Sequence, residues 1–292
     1  MTLRASLQTQ WFPVKHSSTL GRTQMPPTSS LDRGGGCSGL CARSRPPGGR
    51  RVTATQILAG TSGFSYKEWR GPFYPPKLAA KAMLGYYATR LPIVEINNTF
   101  YRLPKADMLV QWRAQVPEAF RFAIKAPRRI THLKRLKDCD EELRFFLATL
   151  EALGAALGSI LFQLPPFFRC DVPTLAAFVR SLPKGTKAAF EFRHDSWFDA
   201  GVIDLLAAHG LPLVVSETDD APARNLPWTA DWTYLRLRKS SYAEGELARW
   251  VDRLVDAGLE QAQVFFKHED EAAGPRFAEA FLEIAAGRGA RR

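Results

Sequence analysis

The chain has 292 residues and a net charge of +11, and its apolar share of 46% is typical of a globular protein with a buried core. Eight of its 40 basic residues but only one of its 29 acidic residues lie in residues 1–55, so most of the excess charge belongs to that segment. Because nucleic-acid binding needs basic residues on a folded face, the overall charge is poor support for a nucleic-acid partner. The longest uncharged run, residues 152–168, is shorter than the roughly 20 apolar residues of a membrane span.

Residues 1–55 lack a sustained apolar period and are rich in Ser, Thr, Pro, Gly and Arg. Such a composition buries too little apolar surface to offset the entropy of ordering, so we expect disorder. The segment has three interpretations: an organellar transit peptide, a basic arm, and leader sequence before a true start near Val52, which we favour. Cys37 and Cys41 form a CxxxC with no second pair, which disfavours zinc, and the cysteine usage is typical of a reduced, cytoplasmic protein.

Apolar strands alternate with amphipathic helices from residue 57 onward. Glycines follow the helices where a helix typically ends, as at Gly154, Gly210, Gly258 and Gly287. The predicted strands are 57–61, 93–97, 120–125, 159–164, 187–192, 211–216, 233–237 and 263–267.

Strict alternation of eight strands with helices predicts one α/β domain, a (β/α)8 TIM barrel over residues 56–287. Residues 288–292 are then a basic tail, and residues 218–232, which have no helical stripe, are a loop. A doubly wound open sheet is the alternative architecture.

Polar side chains stand at the carboxyl ends of most predicted strands, on one period-two face. Barrel enzymes hold their sites at this end, and buried charges are costly unless paired, so the repeated pattern indicates a ligand pocket. The candidate catalytic residues are Glu95, Lys125, Glu191 and Lys267. The candidate substrate-binding residues are Thr61, Ser62, Asn97, Tyr101, Gln163, Arg193, Trp197, Asp219, Arg236 and Tyr242.

The mixed charges of this cluster suggest a ligand and a division of roles. Lysines and fork-like arginines favour phosphate or carboxylate, and Arg193 and Arg236 are expected to hold such an anion. Glu95 or Glu191 is the candidate general base, which requires a carboxyl pKa raised by partial burial. Lys125 or Lys267 is the candidate acid or electrophile. A self-balancing ion network at the barrel mouth is the alternative without a ligand.

Seven long motifs occur in order along the predicted barrel: GTSGFSYKEWRGPFYP (60–75), VEINNTFYRLP (94–104), FAIKAPRRITH (122–132), LFQLPPFF (161–168), EFRHDSW (191–197), YLRLR (234–238) and FFKHED (265–270). Together they closely resemble the YecE-like family, domain of unknown function 72, over about residues 57–286. The resemblance implies a TIM barrel loosely related to sugar-isomerase and endonuclease-type barrels, and it leaves the activity open.

The chain departs from the family pattern after two strands. Many members have His-Gly after the strand-seven arginine and Asn-Asn-Asp near the end of strand eight. Here those places have Arg238-Lys239 and Lys267-His268-Glu269. The substitutions add positive charge at the mouth and indicate a subgroup with a different ligand.

Three functions follow as hypotheses. The first is an enzyme acting on a small anionic or sugar-like, phosphorylated substrate. The second is a metal-assisted hydrolase or isomerase of endonuclease or sugar-isomerase type, and the third is a non-catalytic ligand-binding module. His132, His194 and His268 are scattered beside cationic residues, so neither a metal site nor a cofactor is predicted. The sequence leaves the oligomeric state open.

Overall fold

The computed structural model of the chain describes residues 54–267 and 270–291. The interpretations of residues 1–51, of the CxxxC pair and of His268 concern residues outside this part. The strands are β1 Gln56–Ser62, β2 Ile93–Ile96, β3 Arg121–Lys125, β4 Leu157–Gln163, β5 Ala188–Glu191, β6 Val215–Thr218, β7 Trp232–Arg238 and β8 Gln261–Phe266. The helices are α1 Met83–Arg90, α2 Ala106–Ala114, α3 Asp140–Leu150, α4 Val172–Ser181, α5 Ala200–Ala208, α6 Glu244–Asp256 and α7 Ala273–Gly287.

All paired strands are parallel, in the order β5-β4-β3-β2-β1-β8-β7-β6. The first and last strands of this order are joined by a single bridge between Phe190 and Leu213, which nearly closes the barrel. The prediction of a (β/α)8 TIM barrel is therefore confirmed. The sixth strand begins later than predicted because only Leu213 of its early residues pairs with β5.

The interior of the barrel is filled by small and large apolar side chains, about one from each strand. They are Leu58, Ile93, Ala123, Leu161, Ala189, Val214, Trp232, Tyr234 and Phe265. Because side chains alternate along a strand, the residue two positions further on lies on the same face at the carboxyl end. Glu95, Lys125, Gln163, Glu191 and Arg236 occupy these next positions. The register of the interior thus determines which polar side chains surround the mouth.

The helices bury their apolar stripes against the outside of the barrel. Gly154, Gly210 and Gly258 have positive φ angles near the ends of α3, α5 and α6, as the predicted stops require. Gly287 is instead the last residue of α7, and the left-handed residue is Gly289. Residues 219–231 contain no helix, which confirms the predicted loop. None of the helices in the described residues is long and apolar enough to span a bilayer.

Gly60 allows β1 and β2 to approach closely. A Cβ atom on Gly60 would lie 1.8 Å from the carbonyl oxygen of Ile93, so a side chain cannot be accommodated without moving the backbone. This approach pairs Ser62 with Glu95 in the strand register. The hydrogen bond between Ser62 and Glu95 therefore depends on the absence of a side chain at Gly60.

Candidate functional site

Arg236 lies at the centre of the carboxyl end of the barrel and bridges two glutamates. Its Nη2 donates to Glu95 Oε1 at 2.9 Å and its Nη1 donates to Glu191 Oε2 at 2.7 Å. Nη1 also lies 3.3 Å from Gln163 Oε1. All three charged residues are 3% exposed or less. We call Glu95, Arg236 and Glu191 the buried triad.

The carboxylate of Glu95 is surrounded by hydrogen-bond donors. Besides Arg236, its Oε1 accepts from Ser62 Oγ at 2.7 Å and from Asn97 Nδ2 at 2.8 Å, while its Oε2 accepts from Tyr234 at 2.7 Å. Burial would raise the pKa of Glu95, but the charge of Arg236 and these hydrogen bonds outweigh it and lower the pKa to about 2. The expectation of a raised pKa is wrong for this residue.

Glu191 is stabilised as an anion by three arginines. Its Oε1 lies 3.4 Å from both Arg193 Nε and Arg238 Nη2, while its Oε2 binds Arg236. Burial opposes ionisation, but the charges of Arg236, Arg193 and Arg238 together hold the pKa of Glu191 below its usual value. The expected rise in pKa is wrong here too, because each carboxylate is buried together with arginine partners that favour its ionised form.

Lys125, at the end of β3, differs from the buried triad in having no anionic partner. Its Nζ lies 4.4 Å from the centre of the Phe100 ring. The amine forms no hydrogen bond or ion pair with the residues the structure describes. Burial and the neighbouring charge of Arg236 lower the pKa of Lys125 to about 8, although Glu95 and Glu191 act in the opposite direction. The amine is therefore half neutral near pH 8.

His132 lies beside Lys125 on a π-helical turn, Arg129–Leu133, that follows β3. Its ring is perpendicular to Phe100, with centroids 4.7 Å apart, and its Nδ1 lies 3.0 Å from Thr131 Oγ1. Burial and the charges of Lys125, Arg193 and Arg128 lower the pKa of His132 to about 4. The imidazole is neutral at physiological pH and adds no charge to the mouth.

A cavity of about 320 Å³ lies where β5 and β6 separate beyond their single bridge. Arg193, Arg224 and Arg238 line it together with Glu191 and Ser216, and apolar side chains such as Phe198 complete the wall. We call it the arginine cavity. Burial and the charges of Arg236 and Arg193 lower the pKa of Arg238, so its positive charge is electrostatically disfavoured where it stands.

A second hollow of about 300 Å³ lies at the end of β1 and β2. Ser62, Asn97, Tyr66 and Trp112 are among the residues that line it. Ser62 and Asn97 already donate to Glu95, so this hollow lies on the opposite flank of the buried triad from the arginine cavity.

The structure brings together eight of the fourteen predicted site residues. They are Ser62, Glu95, Asn97, Lys125, Gln163, Glu191, Arg193 and Arg236, which are joined by the hydrogen bonds above or, for Lys125, by electrostatic interaction with Arg236. Their roles in binding or catalysis stay predictions.

Trp197 and Tyr242 belong to the core. Trp197 is fully buried, stacks on Phe192 at a centroid distance of 4.5 Å, and donates its indole N–H to the carbonyl of Phe168. Tyr242 packs edge-on against Phe266, and its hydroxyl accepts a hydrogen bond from the backbone of Lys239. Neither Trp197 nor Tyr242 lines the arginine cavity or the hollow beside β1 and β2, so these two spaces give no support to their predicted role in substrate binding.

Four other predicted residues lie outside the cluster. Thr61 is buried on the opposite face of β1, where its hydroxyl donates to the carbonyl of Gly63. The exposed Asp219 accepts hydrogen bonds from Ser240 and ties two loops together. Tyr101 is 73% exposed, and Lys267 is exposed and its amine donates no hydrogen bond to the described residues.

Two residues on β7 join the site although they are absent from the predicted set. Tyr234 donates to Glu95, and Arg238 Nη2 donates to Ser216 Oγ at 2.6 Å as well as to Glu191. The period-two register of YLRLR places both on the face of Arg236. This register is the signal by which the sequence could have identified them.

The residues that the structure describes contain no cluster of metal ligands that would support the metal-assisted hypothesis. Within them, no group of three His, Cys, Asp or Glu side chains is arranged to hold a metal ion. Glu95 and Glu191 instead share Arg236.

Comparison with known proteins identifies the family of this chain. A family model described as "Protein of unknown function DUF72" matches residues 58–291. The chain belongs to the DUF72 family. The UPF0759 protein YecE of Escherichia coli is 35% identical over 126 residues, which cover 43% of this chain and 46% of YecE. The UPF0759 protein YunF of Bacillus subtilis is 33% identical over 43% of this chain and 47% of YunF. The match spans about half the length of these curated relatives.

Solved DUF72 structures share the barrel. A DUF72 family protein of Thermotoga maritima is 28% identical and superposes with a TM-score of 0.70 over 79% of this chain and 99% of that one. A DUF72 family protein of Enterococcus faecalis, 19% identical, gives a TM-score of 0.67 over 79% of this chain and 96% of its own. The latter similarity concerns the fold alone.

Proposed function

We propose that this DUF72 barrel is an enzyme that binds a small phosphorylated, sugar-like compound at its carboxyl end. The observation that carries the proposal is the arginine cavity, in which Arg193 and Arg238 stand together beside the buried triad. Glu191 and the guanidiniums around it leave an excess of positive charge. A phosphate or carboxylate would relieve this repulsion and take up the forked donors of arginine.

Hydroxyl groups on the ligand have partners at the same end of the barrel. Ser216 and Glu191 line the arginine cavity beside the arginines, and apolar side chains such as Phe198 exclude water from one wall. Small-ligand sites combine such apolar walls with a few convergent polar groups. A compound with an anionic end and hydroxyl groups therefore fits better than a simple inorganic ion.

Calorimetric titration with glucose 6-phosphate, inorganic phosphate and glucose tests the proposal. We expect the two phosphates to bind and glucose to bind more weakly, with affinity falling as salt is added. Arg193→Gln removes one charge-assisted contact worth about 1.5–3 kcal/mol, so its affinity should fall about tenfold or more. Arg144→Gln, an exposed charge change on α3, is the matched control and should bind normally.

Equal affinity in wild type and Arg193→Gln, or no binding of either phosphate, contradicts the proposal. NMR spectra of glucose 6-phosphate and other sugar phosphates, followed over time in the presence of the protein, distinguish an enzyme from a binding module. Conversion that is lost in Lys125→Met supports catalysis. Unchanged compounds together with retained, Arg193-dependent affinity support the binding module instead.

A further inference from the structure

We propose that Lys125 is a nucleophile that forms a Schiff base with the carbonyl group of an open-chain sugar phosphate. The inference rests on the proposed function for the position of the phosphate, and it adds the chemical class of the reacting group. Three features of the structure carry it: an amine without an anionic partner, a fixed strand position, and the distance to the arginine cavity.

Lys125 differs from Arg193, Arg236 and Arg238 in forming no ion pair with the described residues. Arg236 is bound by two carboxylates, and Arg193 and Arg238 both approach Glu191, whereas no described carboxylate lies within ion-pair distance of Lys125. The ring of Phe100 contacts it instead. A lysine that is desolvated and next to other cations loses its proton readily and becomes a nucleophile.

The backbone of Lys125 is held firmly. Its carbonyl accepts a hydrogen bond of 2.6 Å from Thr99, and it pairs with Leu161 of β4. Arg236 and Arg193 lower the pKa of Lys125, Glu95 and Glu191 raise it, and His132 beside it is neutral because its own pKa is about 4. Burial is thus the largest effect that favours the neutral amine, and the surrounding charges act on it in both directions.

The spacing of the strands fits a short sugar phosphate. β3 and β5 flank β4, where Lys125 pairs with Leu161 and Glu191 pairs with Gln163, so their backbones are two strand spacings and two residues of rise apart, roughly 12 Å. A phosphate held by Arg193 would leave the carbonyl of a triose or tetrose phosphate within reach of the long lysine side chain. A Schiff base at Lys125 would therefore leave the phosphate of the same compound in the arginine cavity.

The reaction balances with the aldehyde or ketone as the only other reactant. The lone pair of Nζ attacks the carbonyl carbon, and a proton moves from nitrogen to the carbonyl oxygen to give a carbinolamine. The carbon–oxygen bond then breaks, and the hydroxyl group leaves as water with the remaining proton of the nitrogen, which forms the imine. Cyanoborohydride adds hydride to the imine carbon while the nitrogen takes a proton from water, which gives a stable secondary amine.

Reductive trapping on the wild-type protein tests the inference. The probe is glyceraldehyde 3-phosphate with sodium cyanoborohydride, and peptide mass spectrometry locates the modified lysines. We expect Lys125 to be modified about tenfold faster at pH 7 than the exposed Lys267, because burial lowers the pKa of Lys125 to about 8 and keeps part of its amine neutral. Arg193→Gln should slow trapping of Lys125 by the phosphorylated aldehyde but leave trapping by unphosphorylated glyceraldehyde unchanged.

The outcomes separate the two proposals. Modification of Lys125 no faster than Lys267, in a protein that binds phosphate through Arg193, overturns the Schiff-base inference alone. Fast modification of Lys125 by both aldehydes at rates that do not depend on phosphate or on Arg193 supports the nucleophile and contradicts the phosphate site. In Lys125→Met, trapping at the other lysines should continue at the wild-type rate, and an unchanged far-ultraviolet circular dichroism spectrum checks that the protein remains folded.

Discussion

The buried triad and the arginine cavity contain the same residue types a few ångströms apart, yet they use charge in opposite ways. In the triad, Glu95 accepts from four donors and Arg236 is bound by two carboxylates. In the cavity, Arg193 and Arg238 share Glu191 at the longer distance of 3.4 Å. The short ion pairs of Arg236 are typical of a structural network, whereas we expect the longer ion pairs beside the open cavity to admit an anionic ligand.

The largest expected effect comes from removing the centre of the triad. Arg236→Met leaves Glu95 buried without a cation and removes the shortest ion pair of Glu191, which typically costs about 3–5 kcal/mol. Urea unfolding followed by circular dichroism measures the loss. A change in unfolding free energy below about 1 kcal/mol would show that the triad is not a structural unit.

Acid should weaken the triad over a defined range of pH. The pKa of Glu95 is about 2 when folded and 4.5 as its ordinary value, so the folded state favours the ionised form. This stabilisation is present above pH 4.5 and is lost as pH falls toward 2, by about 3 kcal/mol in total.

Comparison with Glu95→Gln isolates this contribution from other acidic groups such as Glu142. The variant should be less stable than wild type at pH 7, and the difference should shrink as the pH approaches 2. Urea unfolding at several pH values checks this. A stability difference that does not vary with pH contradicts the assigned pKa of Glu95.

Removal of one donor should have an intermediate effect. Tyr234→Phe deletes the hydrogen bond of 2.7 Å to Glu95 Oε2 and leaves that oxygen buried. Such a change costs about 1–3 kcal/mol, which thermal unfolding can detect. Tyr86→Phe removes a part-exposed hydroxyl on α1 and is the matched control, with little change expected. Equal melting temperatures for the two variants would remove Tyr234 from the network.

The smallest effect on stability is expected in the arginine cavity. Arg193→Gln should change the unfolding free energy by less than about 0.5 kcal/mol, since the side chain is about one-third exposed and like charges surround it. Its effect on phosphate affinity should nevertheless be the largest of the variants named here. If stability falls as far as in Arg236→Met, the two regions do not differ as described.

The sequence predicts the barrel well because its signals are local. Alternating apolar strands and the period-two register of β7 identify the strands and correctly place Arg236 toward the mouth. The glycine after α7 is misplaced by two residues, because Gly287 and Gly289 are equivalent as sequence signals. Tertiary packing determines which of them ends the helix.

The sequence predicts the membership of the site only in part. It identifies Glu95 and Glu191 but predicts their pKa shifts in the wrong direction, since the donors around them come from strands distant in sequence. It also assigns Trp197 and Tyr242 to a ligand. An aromatic ring in a loop can equally pack inward, and only the packed structure shows that Phe192 and Phe266 cover these two.

A crystal structure of the protein grown with tungstate, an analogue of phosphate that scatters anomalously, tests the division between the two regions most directly. We predict an anomalous peak in the arginine cavity within hydrogen-bond distance of Arg193 and Arg238, with the triad contacts unchanged. An empty arginine cavity, or a peak that displaces Glu95 or Glu191 from Arg236, would contradict the distinction between a structural triad and a ligand-binding cavity.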